Sequence, residues 1–447
     1  MIRIEGMLTT EDNRKHIPLY FDVPDGITQI HIRGDFSPKH TAGQPYPQQI
    51  SLTVFDPEGP RSEYSKIREE GIIISANYAT PGTTPGPIQP GRWILFINAH
   101  RIMPPDPVQY HIEISLSSEP PNERPQIWPR GHTSARGAGW YRGDLHTHSV
   151  HSDGQFDIPN LAQFARGQGW DFLVLSDHNT ISGLPQHYSQ ASDELLTMGG
   201  IELSTMYGHA LALGVREWFD WRTTTGEMLA MGELAQQVLD SGGLFVIAHP
   251  MDEGDPVCCG CRWEHGDMMP GIASAVEVWN YYWAERNEQA LQLFYQWLNE
   301  GHRLVATSGT DLHERNPEHM RTAFNVVYAQ ELSEAAILDG IRRGHLYISA
   351  GPELTFTGRT ASGVEGIMGD TIPNEHSSVR VCWGQGHEGD LLRLVVDGQP
   401  HDERIVGPSG EISWSLESGQ AMWCTVELRD PQNGLWAVTN PLFFDNT

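Results

Sequence analysis

Residues 143–179, GDLHTHSVHSDGQFDIPNLAQFARGQGWDFLVLSDHN, constrain this chain more than any other stretch. They read as a strand at 143–148, a helix at 158–168 and a second strand at 171–177. Each strand runs out into metal-ligand residue types. The first ends in His146 and His148, which share one face because they are two apart, and Asp153 follows on the loop. The second ends in Ser-Asp-His, which puts His178 just past it. In a β/α barrel the chemistry sits where strands end and loops begin, so the same signature is worth following along the chain.

It recurs between residues 140 and 350. Strands are expected at 144–148, 172–177, 200–203, 209–214, 244–249, 275–279, 304–308 and 325–328, with helices at 228–241, 286–300 and 333–343. The alternation predicts parallel strands with crossover helices, an α/β arrangement. Glu202 lies in the third strand, His209 opens the fourth, His249 follows the apolar run LFVI, and Asp311 and His313 close the seventh. With His146, His148, Asp153 and His178 these make nine nitrogen and carboxylate ligands without a thiolate. Such a set suits Zn²⁺, Mn²⁺ or Fe²⁺, and it exceeds one tetrahedral site. Two or three ions sharing ligands are expected, with Glu202 able to bridge.

Flanking segments read differently. Residues 1–120 carry strand patterns at 2–8, 15–23, 29–34, 49–56, 71–77, 91–99 and 108–116, separated by Pro, Gly and Asn turns, which favours a β-sandwich. Residues 121–139 form a Pro- and Gly-rich linker. Residues 351–447 return to β character at 379–383, 391–396, 411–416 and 422–428, with an Asp397-Gly398 turn, and predict a small second β domain.

Composition sets limits on partners. The 57 acidic and 29 basic residues leave a net charge of −28. Such a chain should repel nucleic acid and anionic membranes, and bound metal ions would supply the positive charge that an anionic substrate needs. No apolar run is long enough to span a membrane and the start lacks a signal-peptide pattern, so a cytoplasmic setting is expected. The five cysteines do not suggest a disulfide framework. Cys258, Cys259 and Cys261 crowd one loop beside His265, at a spacing unlike a structural zinc site. A flexible rim or lid with exposed thiols is expected over 252–270.

The pieces GDLHTHSVHSDG, VLSDHN, GIEL, GHALALG, IAHP, VEVWN and GTDLH, in that order, resemble the polymerase and histidinol phosphatase (PHP) domain. The nearest branch is the CehA/McbA-like metallohydrolases, whose pattern IRRGHLYISAGP also matches. The resemblance covers residues 125–355. It implies a distorted (β/α)7 PHP barrel flanked by the N-terminal sandwich and the C-terminal β domain. It also implies ligand groups: His146, His148, Glu202 and Asp311 for a first ion; Asp153, His178 and His313 for a second; Glu202, His209 and His249 for a third. Some members carry histidine where Asp153 stands.

The chemistry expected is metal-assisted hydrolysis, most simply of a small phosphoester by a hydroxide bridging two or three divalent ions. Asp311 or His313 would move the proton, with His151 as another candidate. Asn280 and Tyr281, with Tyr282 and Trp283, are placed to meet a substrate ring, and Arg315 or Arg321 could clamp a phosphate. An aryl carbamate ester or amide is the alternative substrate, and a non-catalytic binding module the alternative of another class.

Overall fold

In the computed structural model, residues 1–66, 70–105, 107–119, 128–134, 136–222, 230–314 and 321–445 are described. The first 117 residues build two four-stranded antiparallel sheets. One orders Ile2–Leu8, Val108–Ser117, Gln29–Ser37 and Ile72–Ser75; the other orders Lys15–Val23, Gly91–Arg101, Gln49–Phe55 and Pro60–Lys66. Alternating residues of both, such as Ile30, Ile32, Val54, Trp93 and Leu95, meet in one core. The Pro60–Lys66 strand escapes sequence reading because its side chains are mostly polar.

The middle of the chain forms one long mixed sheet. From one edge its strands are Val305–Gly309, Ala275–Asn280, Leu244–Ile247, Gly208–Leu213, Leu196–Thr205, Phe172–Leu175, Gly139–Asp144, Phe324–Ala329 and Leu346–Ser349. The chain beyond the edge strand comes round to meet the chain after Gly139–Asp144, through a parallel bridge between Thr147 and Leu312. The expectation of uniformly parallel strands is corrected at two places. Gly208–Leu213 runs antiparallel to both neighbours, because Met206 and Tyr207 alone separate it from the preceding strand, and a parallel return needs a crossover of a dozen residues or more. Phe324–Ala329 is antiparallel to Gly139–Asp144.

Helices pack on this sheet by apolar stripes. Ile158–Gly167 starts at Asp157, whose side chain accepts from the Asn160 N–H, and buries Ile158, Leu161, Ala162 and Ala165, the spacing of one helical face. Glu285–Asn299 buries Leu291, Phe294, Trp297 and Leu298 in the same way. Met231–Asp240 and Glu334–Arg342 complete the long helices. The first residues of the predicted 228–241 helix, and much of the 121–139 linker, lie outside the described residues.

The sheet does not stop at residue 350. Leu346–Ser349 pairs with Leu435–Thr439, and pairing continues through Trp423–Arg429, Asp390–Val396 and Gln399–Val406. A separate four-stranded antiparallel sheet, Glu365–Ile367, Glu353–Thr360, Ser377–Gly384 and Gly410–Leu416, closes over it. Phe356, Val381, Leu392 and Val426 fill the space between the two.

Candidate metal centre

Strand ends deliver the ligand residues to one place. His146 and His148 follow Gly139–Asp144, His178 follows Phe172–Leu175, and Glu202 and His209 lie on the paired strands Leu196–Thr205 and Gly208–Leu213. His249 follows Leu244–Ile247, and Asp311 and His313 follow Val305–Gly309. Four residues at or near these ends take left-handed backbone: Asn179 (φ 54°), His249 (φ 27°), Tyr281 (φ 57°) and Asp311 (φ 49°). Non-glycine residues there cost on the order of 1–3 kcal/mol each. The sharp turns aim side chains inward.

Glu202 stands at the middle, fully buried. Its Oε2 lies 3.3 Å from His146 Nε2 and 3.4 Å from His148 Nε2, while Asp311 Oδ1 lies 3.4 and 3.0 Å from the same two nitrogens. Four ligands at about 2.0–2.1 Å from a tetrahedral ion stand about 3.3–3.4 Å apart. Three of the four spacings match that separation and the fourth, His148 to Asp311, is shorter, so the set is close to a first-ion site. All four atoms are buried and none has an aligned hydrogen-bond partner, a costly state for polar atoms unless an ion takes them. The residues fit a divalent cation.

Two further groups adjoin. Asp153 Oδ1 lies 3.3 Å from His178 Nε2 and 3.0 Å from His313 Nε2, and these three with His148 converge as a second group. Glu202 Oε1 meets His209 Nδ1 at 3.0 Å and His249 Nε2 at 3.2 Å, and its Oε2 meets His178 Nδ1 at 2.7 Å. All nine predicted ligand residues are thus brought together. His178 sits between the second and third groups and faces both.

Electrostatics match a cluster built for cations. Burial raises the cost of the Glu202 and Asp311 charges, but the surrounding histidines outweigh it and hold both carboxyls well below the usual range. Burial likewise opposes charge on His146 and His178, and the facing carboxylates push both well above normal. His249 rises to about 9 by its contact with Glu202, against burial. His148 falls to about 4 through burial and the neighbouring His313 and His178.

Sequence reasoning missed the groups that hold the ligands. Glu277, buried on Ala275–Asn280, places Oε1 3.1 Å from His146 Nδ1 and accepts from the His249 N–H with Oε2. It lies in VEVWN, where its position inside an apolar strand was the available signal. A carboxylate behind a ligand histidine fixes its tautomer and orientation. Asp177 accepts from Ser149 and Ser152, and Asp144 from the His146 N–H and from Thr310, so the loops carrying the ligands are pinned.

The predicted substrate contacts fare unevenly. Asn280 is buried and donates to Glu277 and, at 3.4 Å, to Asp311, so it braces the centre. Tyr281 and Tyr282 are half-exposed at the rim, and their rings meet edge to face. Trp283 packs on buried Trp279. Arg321 turns away: it pairs with Asp430 at 2.7 Å, donates to the Leu435 carbonyl and stacks on Trp436. Arg315 lies outside the described residues. His151 is engaged by Ser182 at 2.9 Å and stands outside the three ligand groups.

The rim over 252–265 corrects the expectation of exposed thiols. Cys258 and Cys261 are joined in a disulfide, their C-x-x-C spacing placing the Cα atoms 5.5 Å apart. Cys259 is buried and donates to the His100 carbonyl, and His265 is buried against Thr205 at 2.9 Å. With Gln49 and His100 from the first β domain, these cysteines and seven of the nine candidate ligands, all but His146 and His148, line a cavity of about 250 Å³.

No protein-family model matches the chain. A stretch of 65 residues is 42% identical to the 5'-3' exoribonuclease of Haemophilus influenzae; it makes up 14% of this chain and spans 23% of that enzyme. Among solved structures, the chain is similar to a two-domain protein from Bacteroides vulgatus containing a predicted PHP-like metal-dependent phosphoesterase, at 16% identity and a TM-score of 0.41, covering 71% of this chain and 99% of that one. It is similar to a protein from Bifidobacterium adolescentis assigned as a metal-dependent phosphoesterase, at 18% identity and a TM-score of 0.30, over 40% of this chain and 90% of that one. An amidohydrolase from Chromobacterium violaceum matches at 17% identity and a TM-score of 0.28, over 40% of this chain and 93% of that one.

Proposed function

We propose that this chain is a metal-dependent hydrolase of the PHP type, acting on a small phosphoester. The observation that carries the reading is the set of buried ligand atoms around Glu202 without aligned hydrogen bonds, 3.0–3.4 Å apart. The CehA/McbA-like assignment rests on motif resemblance alone and belongs to the same reading.

His146, His148, Glu202 and Asp311 would hold one ion, Asp153, His178 and His313 a second, and Glu202, His209 and His249 a third. Bound divalent ions supply a water of lowered pKa and positive charge against the phosphoryl oxygens. The chain does the rest. Glu277 orients His146, and Asn280 holds the Asp311 carboxylate from its other oxygen. Of the proton carriers read from the sequence, Asp311 is held as a carboxylate and would act only as an acceptor, so donation to the leaving group would fall to His313, whose side chain is 34% exposed while those of His146, His148 and Glu202 are closed off. The half-exposed tyrosines 281 and 282 offer rings to an aryl or base group.

A panel on Mn²⁺-loaded protein tests this: a nitrophenyl phosphate, a bis-nitrophenyl phosphate and an aryl carbamate. Turnover of a phosphate ester supports the reading. Turnover of the carbamate alone moves the protein to carbonyl hydrolysis by the same centre. Silence on all three, with metal bound, removes the phosphoesterase reading and favours a binding role.

A further inference from the structure

We propose that His100, carried by the first β domain, binds the substrate in the metal cavity by donating its Nδ1–H to a phosphoryl oxygen. The inference rests on the hydrolase reading and gives it a substrate contact from outside the ligand-bearing sheet.

His100 lies on Gly91–Arg101, between the strands Lys15–Val23 and Gln49–Phe55. Side chains alternate across a strand. Trp93, Leu95 and Ile97 fill the sandwich core, so Asn98 and His100 sit on the opposite face of the sheet. That face meets the chain that follows Gly208–Leu213. The His100 ring lies parallel to Trp221 at 6.5 Å, and His16, the cross-strand partner of Asn98, meets Trp221 edge on at 5.2 Å. His100 is only 7% exposed, and it lines the cavity together with Asp153, Glu202, Asp311 and His313. Its carbonyl accepts from Cys259, which ties the same residue to the rim loop.

A buried hydrogen-bonded chain fixes where the His100 proton sits. Asn98 Oδ1 accepts from His16 Nδ1 at 2.7 Å, and Asn98 Nδ2 donates to Thr53 at 2.9 Å and to Ser51 at 3.1 Å. Ser51 Oγ lies 2.9 Å from His100 Nε2, its one acceptor among the described residues. A buried hydroxyl needs an acceptor, so Ser51 donates to Nε2 and the ring hydrogen is on Nδ1. Burial pushes His100 down to about 3, which keeps the ring neutral. No described residue accepts from Nδ1, and this nitrogen is not closed off as the buried unbonded atoms are. The open donor of an otherwise enclosed ring on the cavity wall is therefore available to a ligand. The cavity, at about 250 Å³, is below the roughly 300–1,000 Å³ usual for ligand pockets. A phosphoryl group seated among Glu202, Asp311 and His313 has little room to miss this wall. A donor already locked in place adds little ordering cost when the substrate binds.

The test uses the full chain loaded with Mn²⁺ and inorganic phosphate as the probe, with binding followed by calorimetry and metal content measured in parallel. In His100→Gln the amide reaches the Nε2 position, so Ser51 keeps a partner but the cavity loses its donor. In His100→Asn the amide stands at the Nδ1 position, so the donor is kept and the Ser51 partner is lost. Phosphate binding should weaken about tenfold in His100→Gln and stay within about threefold of the parent in His100→Asn, with metal content unchanged in both. On nitrophenyl phosphate, KM should rise in the same order and by more than kcat falls. A purely structural role for His100 predicts the reverse order, because the Ser51 contact survives only in His100→Gln. That reverse order, phosphate binding equal in the parent and His100→Gln, loss of metal in His100→Gln, or no phosphate binding by the parent would each overturn the proposal. The hydrolase reading fails separately, when the metal-loaded parent turns over no ester even though phosphate binds through His100.

Discussion

Single residues at the centre fall into those that would touch an ion and those that aim them. His146→Ala and Asp311→Ala each remove one corner of the Glu202 group and should abolish hydrolysis in a chain that stays folded; undiminished turnover in both would refute the ligand assignment. Glu277→Gln is the sharper probe, because Glu277 reaches His146 Nδ1 and the His249 N–H but joins none of the three ligand groups. Substituting such a partner typically costs about 10–100-fold in metal affinity or activity. We expect that loss in metal titrations of Glu277→Gln, with the fold intact by circular dichroism. Protons compete for the same atoms. In the metal-free chain His146 and His178 are raised, and His249 reaches about 9, so these rings carry protons at neutral pH that an ion must displace. The His249–Glu202 pairing stabilises the metal-free fold fully below the ordinary histidine value of 6.5 and is lost as pH rises through about 9. Metal affinity runs the other way and should climb with pH up to that value. Calorimetry in buffers of different ionisation enthalpy should record proton release on metal uptake, and uptake without release would contradict the assignment.

Elements explain why ligand identity was readable and the shape around it was not. His146, His148, His178 and His249 announce themselves because ligand types end apolar strands, a pattern local enough to see in a line of letters. The antiparallel insertion of Gly208–Leu213 was also written locally, in the two residues Met206 and Tyr207, but helix alternation elsewhere argued for parallel strands throughout. Glu277 looked like one polar residue inside VEVWN, since only the folded sheet brings His146 behind it. The Cys258–Cys261 pairing was obscured by Cys259, which splits the C-x-x-C spacing and in the fold points elsewhere, to His100. The polar strand Pro60–Lys66 had no apolar alternation to show. Backbone fit is a constraint of the same kind. On Val305–Gly309, a Cβ at Gly309 would stand 2.2 Å from Glu277 Oε1 and 2.3 Å from His146 Cβ. Both are closer than atoms tolerate, and the His146 contact cannot be relieved by a side-chain rotation. Gly309→Ala should therefore reduce bound metal and lower the thermal midpoint as well, because the strand can shift only slightly to relieve the contact. Full metal occupancy in that variant would show that the strand end is looser than its packing implies.

Across the whole molecule, the first β domain matters to the cavity although none of the nine ligand candidates comes from it. It contributes Gln49 and His100 to the cavity wall. It also grips the rim loop from two sides: Arg14 binds Asp255 and Glu264, and Arg101 binds the Pro256 and Val257 carbonyls. That loop carries Cys261, whose carbonyl lies 3.1 Å from His249 Nδ1. Contact between the domains therefore reaches a candidate ligand through one loop. Exposed ion pairs are each worth little, and Asp255 and Glu264 are exposed, so the firmer hold is that of Arg101, which is buried against neutral carbonyls. Removing both side chains leaves backbone carbonyls unsatisfied as well as charges unpaired. In the full chain, Arg14→Ala combined with Arg101→Ala should open residues 252–265 to limited proteolysis, and the first and second ligand groups should still bind metal, since they lie on other strand ends. Turnover should fall more than metal content does. A double variant whose loop resists protease as the parent does, at equal turnover, would show that the rim is held by its own disulfide rather than by the β domain.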